Sequence, residues 1–230
     1  MRPTFLAGGR AQGSRQGKGM TAGHGADSVL NGFRLVPGYL DRARQEALLA
    51  ALREVMRLAP PYTPRMPKSG RALSVRMTNC GTLGWMTDAS GYRYQPHHPE
   101  TGAPWPPIPE ILLAAWRELS GYPHHPEACL INIYGPAARM GLHQDRDEAD
   151  MMAPVVSLSL GDNCLFRIGA DKRSDPTRAF RLASGDAVVL GGGARLAFHG
   201  VDRITAGSST LLPEGGRINL TLRRVTRPQS

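Results

Sequence analysis

Apolar and polar positions follow two different periods along this chain, and the change between them divides it. Between Leu40 and Leu58 the residues Leu48, Leu49, Leu52, Val55 and Met56 recur at the three- and four-residue spacing of a single helix face, so a helix is predicted there, stopped by Pro60-Pro61. A short strand is predicted just before it, at Gly32–Pro37. A second helix from about Ile108 to Leu119 puts Ile111, Leu112 and Ala115 on one side and ends at Gly121. From Cys129 onward the period becomes two. Short alternating runs occupy Leu130–Tyr134, Val155–Leu160, Cys164–Ile168, Arg178–Leu182, Ala187–Leu190, Leu196–His199 and Arg217–Arg224. Turn signals such as Gly161-Asp162-Asn163, Ser184-Gly185-Asp186 and Gly191-Gly192-Gly193 separate them. This order predicts a mainly β, α+β chain: an antiparallel sandwich or barrel with two helices packed outside.

Two stretches have neither period. Residues 1–26 carry seven Gly and four basic residues and no acid, and read as a disordered basic tail preceding a single domain over 27–230. Met20 offers an alternative start within that tail. Arg65–Pro107 is rich in Gly, Pro and polar residues, with Trp85, Tyr92 and Tyr94 interspersed, and an irregular stretch of that length inside a compact domain is usually functional.

Composition narrows the partners. The chain of 230 residues has 28 Lys plus Arg against 19 Asp plus Glu, a formal charge of +9, which favours an anionic partner and nucleic acid first. Only Lys18, Lys68 and Lys172 are lysines, and Arg suits two-pronged grips on carboxylate or phosphate. Cys80, Cys129 and Cys164 are an odd number with no CxxC pair, which argues against both a disulfide framework and a zinc ribbon and fits a reducing cytoplasm. No window approaches the ~18 consecutive apolar residues of a membrane span, so no membrane partner is expected.

The candidate chemistry begins at Leu142-His143-Gln144-Asp145. In an extended segment residues two apart face the same side, which sets the His143 imidazole beside the Asp145 carboxylate. His199, after Leu196-Ala197-Phe198, offers a third ligand, and two His with one carboxylate and open positions form the facial triad of non-haem Fe(II) oxygenases. Taken alone, an HxD is more often a surface pair. The last strand changes that balance: Ile218, Leu220 and Leu222 share one face, Arg217, Asn219, Thr221 and Arg223 the other. The two Arg stand ~20 Å apart at ~3.3 Å per residue, so they suit the two ends of an elongated dicarboxylate. Asn132 and Tyr134 repeat the pattern, and burying such groups is costly unless a ligand satisfies them.

The order NxY, HxD, a distal His and RxNxTxR resembles the AlkB family of Fe(II)- and 2-oxoglutarate-dependent nucleic-acid dioxygenases, specifically its bacterial repair enzymes, from roughly Met77 to Arg224. The resemblance implies a double-stranded β-helix (jelly-roll) core at about 129–225 beneath a substrate lid at about 65–107. It implies that His143, Asp145 and His199 ligate Fe(II) and that Asn132, Tyr134, Arg217, Asn219 and Arg223 hold 2-oxoglutarate, Arg217 on the distal carboxylate. It further implies O2 as co-substrate and oxidative removal of N-methyl groups from 1-methyladenine and 3-methylcytosine in single- or double-stranded DNA, with RNA as a second substrate, by an enzyme acting as a monomer. Met77-Thr78-Asn79-Cys80-Gly81 and Gly91-Tyr92-Arg93-Tyr94 match the bacterial lid. In that scheme Trp85 stacks on a flipped base opposite His143, Tyr92 contacts base or backbone, Asp147 favours a cationic base and Arg173 contacts substrate. The pairs His97-His98 and His124-His125 lie outside the motif and read as surface histidines.

Three alternatives stand beside this reading. The same cofactors could serve a protein, lipid or small-molecule substrate; the barrel could bind nucleic acid without catalysis; or two His and an Asp could hold Zn(II) for hydrolysis, which leaves the Arg217/Arg223 strand without a purpose.

Overall fold

The amphipathic pattern at Leu40–Leu58 forms a helix in the computed structural model, which describes residues 31–229; the tail at 1–26 lies outside the described residues. The elements in order are β1 (Phe33–Val36), α1 (Arg42–Leu58), β2 (Val75–Gly81), β3 (Gly84–Asp88), β4 (Gly91–Gln95), α2 (Glu110–Ser120), β5 (Ala128–Tyr134), β6 (Met140–His143), β7 (Val155–Gly161), β8 (Asn163–Ile168), β9 (Arg178–Leu182), β10 (Ala187–Leu190), β11 (His199–Thr205) and β12 (Arg217–Arg223). Asp41 caps α1, its carboxylate accepting from the Arg44 N–H at 2.8 Å, a device worth about 1 kcal/mol. α2 ends on Gly121 in the left-handed conformation at φ 62°.

Six strands pair in the order β1-β10-β7-β12-β5-β2 and four in the order β6-β11-β8-β9, while β3 and β4 form a separate hairpin. Every pairing of these strands among the described residues is antiparallel. Both helices lie against one face of the six-stranded sheet: Leu48, Leu52, Leu112 and Trp116 pack with Ile131, Leu158, Ile218, Leu220 and Leu222. On its other face Val75, Met77, Leu130 and Val188 pack with Phe166, Ile168 and Val201 of the smaller sheet. This is the jelly-roll core with two flanking helices. The alternation of β12 decides what the interior contains. Its Ile and Leu go to the helices, at about 1.5–3 kcal/mol for each side chain fully buried, and its polar face turns inward between the sheets.

Two readings of the sequence are corrected. Arg65–Pro107 is not irregular throughout, since β2 is a full member of the large sheet, paired residue for residue with β5 from Val75↔Tyr134 to Gly81↔Ala128. Its alternation was masked because Thr78 and Asn79 are buried polar residues, held by bonds to Ala59 O and to the backbone of Trp85. The run before His199 is not a strand either; His199 opens β11. Among the described residues no helix is long and apolar enough to cross a membrane.

Candidate metal centre and co-substrate pocket

β6 ends at His143 and β11 begins at His199, and the two are direct partners across the antiparallel pair, their ring centroids 4.5 Å apart. Asp145 follows two residues after His143. Its carboxylate oxygens lie 3.9 Å from Nε2 of His143 and 3.8 Å from Nε2 of His199, too long for hydrogen bonds. One ligand atom from each of the three residues falls within 4.8 Å of the others, and no other cluster of three or more His, Cys, Asp or Glu able to hold a metal occurs among the described residues. Each separation from Asp145 is under twice a metal–ligand bond of about 2.1 Å.

The two rings are oriented for ligation. Nδ1 of His143 lies 2.9 Å from Gly141 O, and Nδ1 of His199 lies 2.9 Å from Ala197 O. A carbonyl only accepts, so Nδ1 carries the proton and Nε2 presents its lone pair. Burial, and then the neighbouring His143, push His199 down to about 4, which keeps it neutral at physiological pH. Burial disfavours the charged form of Asp145, but Arg223 and then His199 and His143 outweigh it and hold the carboxyl below the usual range. Oδ1 accepts from Arg223 Nη2 at 2.7 Å, whereas Oδ2 is buried without a hydrogen-bond partner among the described residues. A buried, ionised oxygen with no partner beside two imidazole lone pairs fits a divalent cation.

The cavity beside this cluster, of about 990 Å³, is lined by Asn132, Tyr134, Arg217, Asn219, Thr221 and Arg223. Arg217 is 2% exposed and stacks over the Tyr134 ring with its guanidinium carbon 5.2 Å from the centroid. Its Nη2 donates to Ser159 Oγ at 3.0 Å, yet among the described residues Nε and Nη1 have no partner, nor has Asn132 Oδ1. Leaving buried groups unpaired costs roughly 1–3 kcal/mol each, more when charged, so this end of the cavity fits a carboxylate. Asn219 is satisfied within the protein, donating to Ser157 Oγ and Leu158 O and accepting from Thr221 Oγ1.

The β3–β4 hairpin stands at the mouth. Trp85 Nε1 donates to Asp147 Oδ2 at 2.7 Å, and the Trp85 ring stacks on Tyr92 at 5.8 Å and 22°. Arg173 is exposed and donates to Leu142 O at 2.7 Å. Trp85, Tyr92, Asp147 and Arg173 thus meet His143 around one opening. His98 departs from its reading as a surface residue. It is 1% exposed, Nε2 lying 2.8 Å from Pro60 O and Nδ1 accepting from the N–H of Glu100 and Thr101. The sequence reading named Tyr94 only within the lid match, without a role, and passed over Glu148 and Arg195; the three form a network behind Asp145 in which Glu148 and Arg195 are buried and Tyr94 is half-buried. The acidic run Asp145–Asp150 was the available signal, because three of its four acids are buried.

The model of the 2OG-Fe(II) oxygenase superfamily matches residues 32–223. The chain is similar to the alpha-ketoglutarate-dependent dioxygenase AlkB homolog of Caulobacter vibrioides, at 55% identity over 86% of this chain and 89% of the relative. It is also similar to the alpha-ketoglutarate-dependent dioxygenase AlkB of Escherichia coli, at 43% identity over 74% of this chain and 80% of the relative. The solved structure of OsALKBH1 superposes with a TM-score of 0.68 at 31% identity, over 84% of this chain and 96% of that one. The chain belongs to the AlkB family of this superfamily. It is a 2-oxoglutarate-dependent dioxygenase with Fe(II) as its metal, and His143, Asp145 and His199 form the cluster suited to hold it.

Proposed function

We propose that this dioxygenase is an oxidative demethylase of N-alkylated bases such as 1-methyladenine and 3-methylcytosine in DNA, with RNA as a second substrate. The observation that carries the reading is the single opening shared by His143, Trp85, Tyr92 and Asp147, which offers aromatic faces, a carboxylate and the metal cluster to one planar group. A cationic methylated base matches each of these. Arg71, Arg139, Arg146 and Arg173 line the same cavity and are exposed, and with a formal charge of +9 they suit a polyanionic strand.

In this reading His143, Asp145 and His199 hold Fe(II). When bound, Fe(II), O2 and 2-oxoglutarate supply the oxidation: 2-oxoglutarate becomes succinate and CO2, and one oxygen atom is inserted into a C–H bond of the N-methyl group. Arg217, backed by Tyr134, takes the distal carboxylate of the co-substrate in a charge-assisted grip. Asn132 and Tyr134 line its length, while Asn219, already bonded to β7, holds the shape of the pocket floor. Arg223 sits at the metal end, where it balances carboxylate charge. Trp85 and Tyr92 part to admit the base, Asp147 exchanges the indole N–H for the base, and Arg173 braces the His143 strand while facing the phosphates. The hydroxymethylated base then breaks its N–C bond, releasing formaldehyde and the restored base.

Formaldehyde and succinate released from a single-stranded oligonucleotide carrying 1-methyladenine test the proposal, with Fe(II), ascorbate and 2-oxoglutarate and His143→Ala as control. Both products are expected from the wild type alone. Succinate without demethylation would move the substrate to a protein or small molecule, and neither product from folded, iron-loaded protein would overturn the reading.

A further inference from the structure

Behind the metal cluster lies a group of charges that the ligation scheme does not use. Glu148 is buried, its side chain 1% exposed, three residues beyond Asp145. Oε2 accepts from Arg195 Nη2 at 3.1 Å. Oε1 accepts from the Tyr94 hydroxyl at 2.5 Å and lies 3.4 Å from Arg223 Nε, an ion-pair contact without hydrogen-bond geometry. Both arginines in turn grip Asp145. Arg223 Nη2 donates to its carboxylate at 2.7 Å, and Arg195 Nη1 donates to its main-chain carbonyl at 2.5 Å while Nε holds Ala153 O. Arg195 precedes His199 by four residues, so it fastens the segment leading to one histidine onto the segment carrying the other two ligands. Tyr94 is the cross-strand partner of Trp85 in the β3–β4 hairpin.

A buried carboxylate is retained at such cost only when paired, and pairing with two guanidiniums serves an orientation as well as a charge. Asp145 and Glu148 face Arg195 and Arg223, so the cluster is formally neutral before any metal or co-substrate arrives. We propose that Glu148 is a positioning residue for the metal centre. Its carboxylate holds Arg223 and Arg195 where they fix Asp145, and its bond to Tyr94 couples the hairpin bearing Trp85 to that same ligand. Without the Glu148 charge, two guanidiniums face Asp145 alone. Arg223 then competes with a cation for the Asp145 carboxylate, and the surplus positive charge repels a divalent metal but not a dianion.

The proposal builds on the Fe(II) site and is independent of which substrate is demethylated, so its test uses neither turnover nor oligonucleotide. Glu148→Gln keeps the shape and an acceptor for Tyr94. Mn(II) titration, followed by electron paramagnetic resonance, is expected to show affinity at least tenfold weaker than wild type. Binding of 2-oxoglutarate at saturating Mn(II) is expected to stay within threefold. Mn(II) affinity within threefold of wild type would overturn the charge role, and so would parallel losses of both ligands that track a fall in melting temperature. The coupling is read separately by hydrogen exchange, which also decides the matter if Glu148→Gln does not fold. Mn(II) with 2-oxoglutarate is expected to slow exchange in Gly84–Gln95 at least tenfold in the wild type and less than threefold in Tyr94→Phe. Equal protection in both, or none in the wild type, would overturn it.

Discussion

His199 faces His143 directly across the β11–β6 pair, and the residue after it must be glycine for the strands to stay that close. A Cβ at Gly200 would stand 2.6 Å from Met140 O and 3.0 Å from the Gly141 carbonyl carbon, in the strand that presents His143. Backbone cannot rotate away as a side-chain end can. Gly200→Ala is therefore expected to destabilise the protein by about 1–3 kcal/mol and to weaken Mn(II) binding at least tenfold by spreading the two rings. Thermal melting and metal titration check both, and unchanged metal affinity would show that β6 yields without moving His143.

Among the described residues Arg217 has two buried nitrogens unpartnered and one bonded to Ser159. Arg217→Gln removes the charge aimed at the co-substrate, a loss of about 2–4 kcal/mol, or roughly 30- to 1000-fold. The expected signature is that increase in KM for 2-oxoglutarate with Mn(II) affinity unchanged within threefold. A KM near that of wild type would place the distal carboxylate elsewhere.

Trp85 is held both by stacking on Tyr92 and by its bond to Asp147. Trp85→Ala is expected to raise KM for a 1-methyladenine oligonucleotide by about five- to 150-fold, the worth of one base–aromatic stack of about 1–3 kcal/mol. KM for 2-oxoglutarate should not change, because Trp85 lies at the mouth rather than the floor. Trp85→Phe retains a stacking face without the N–H and should recover most of the loss. Equal defects in Ala and Phe would transfer the role from the ring to its bond with Asp147.

Tyr62 is one source of alkaline pH dependence. Burial first, and then Glu100, raise its hydroxyl from 10.0 to about 12, and that hydroxyl has no hydrogen-bond partner among the described residues. The folded value lies above the unfolded one. The contribution is therefore fully present below pH 10 and lost as pH rises toward 12, by roughly 2–3 kcal/mol for a two-unit shift. Tyr62→Phe should remove this alkaline component and leave neutral stability equal or about 1 kcal/mol higher. Urea melts at pH 7 and pH 11 measure the difference, and identical alkaline losses in both proteins would refute it.

Much of this architecture was readable in the chain. The β12 alternation placed Arg217, Asn219, Thr221 and Arg223 on one face, and they line one cavity. The apolar face of α1 is buried at Leu48, Leu49, Leu52 and Val55. A period of two or 3.6 assigns a side chain to a face, and that is a local property.

What the face meets is not local. That His199 sits opposite His143 depends on how β11 registers on β6, and that Glu148 and His98 are buried depends on Arg195, Tyr94 and the Pro60 carbonyl brought from far along the chain. β2 escaped notice for the same reason, since Thr78 and Asn79 break the apolar alternation and are satisfied only by distant backbone groups. The sequence by itself determined the faces, the elements that carry them and the donors available for a metal and a dicarboxylate. The tertiary structure alone decided which polar groups left water and which partner each one met, because the cost of burying a charge or amide is set by neighbours that sequence spacing does not name.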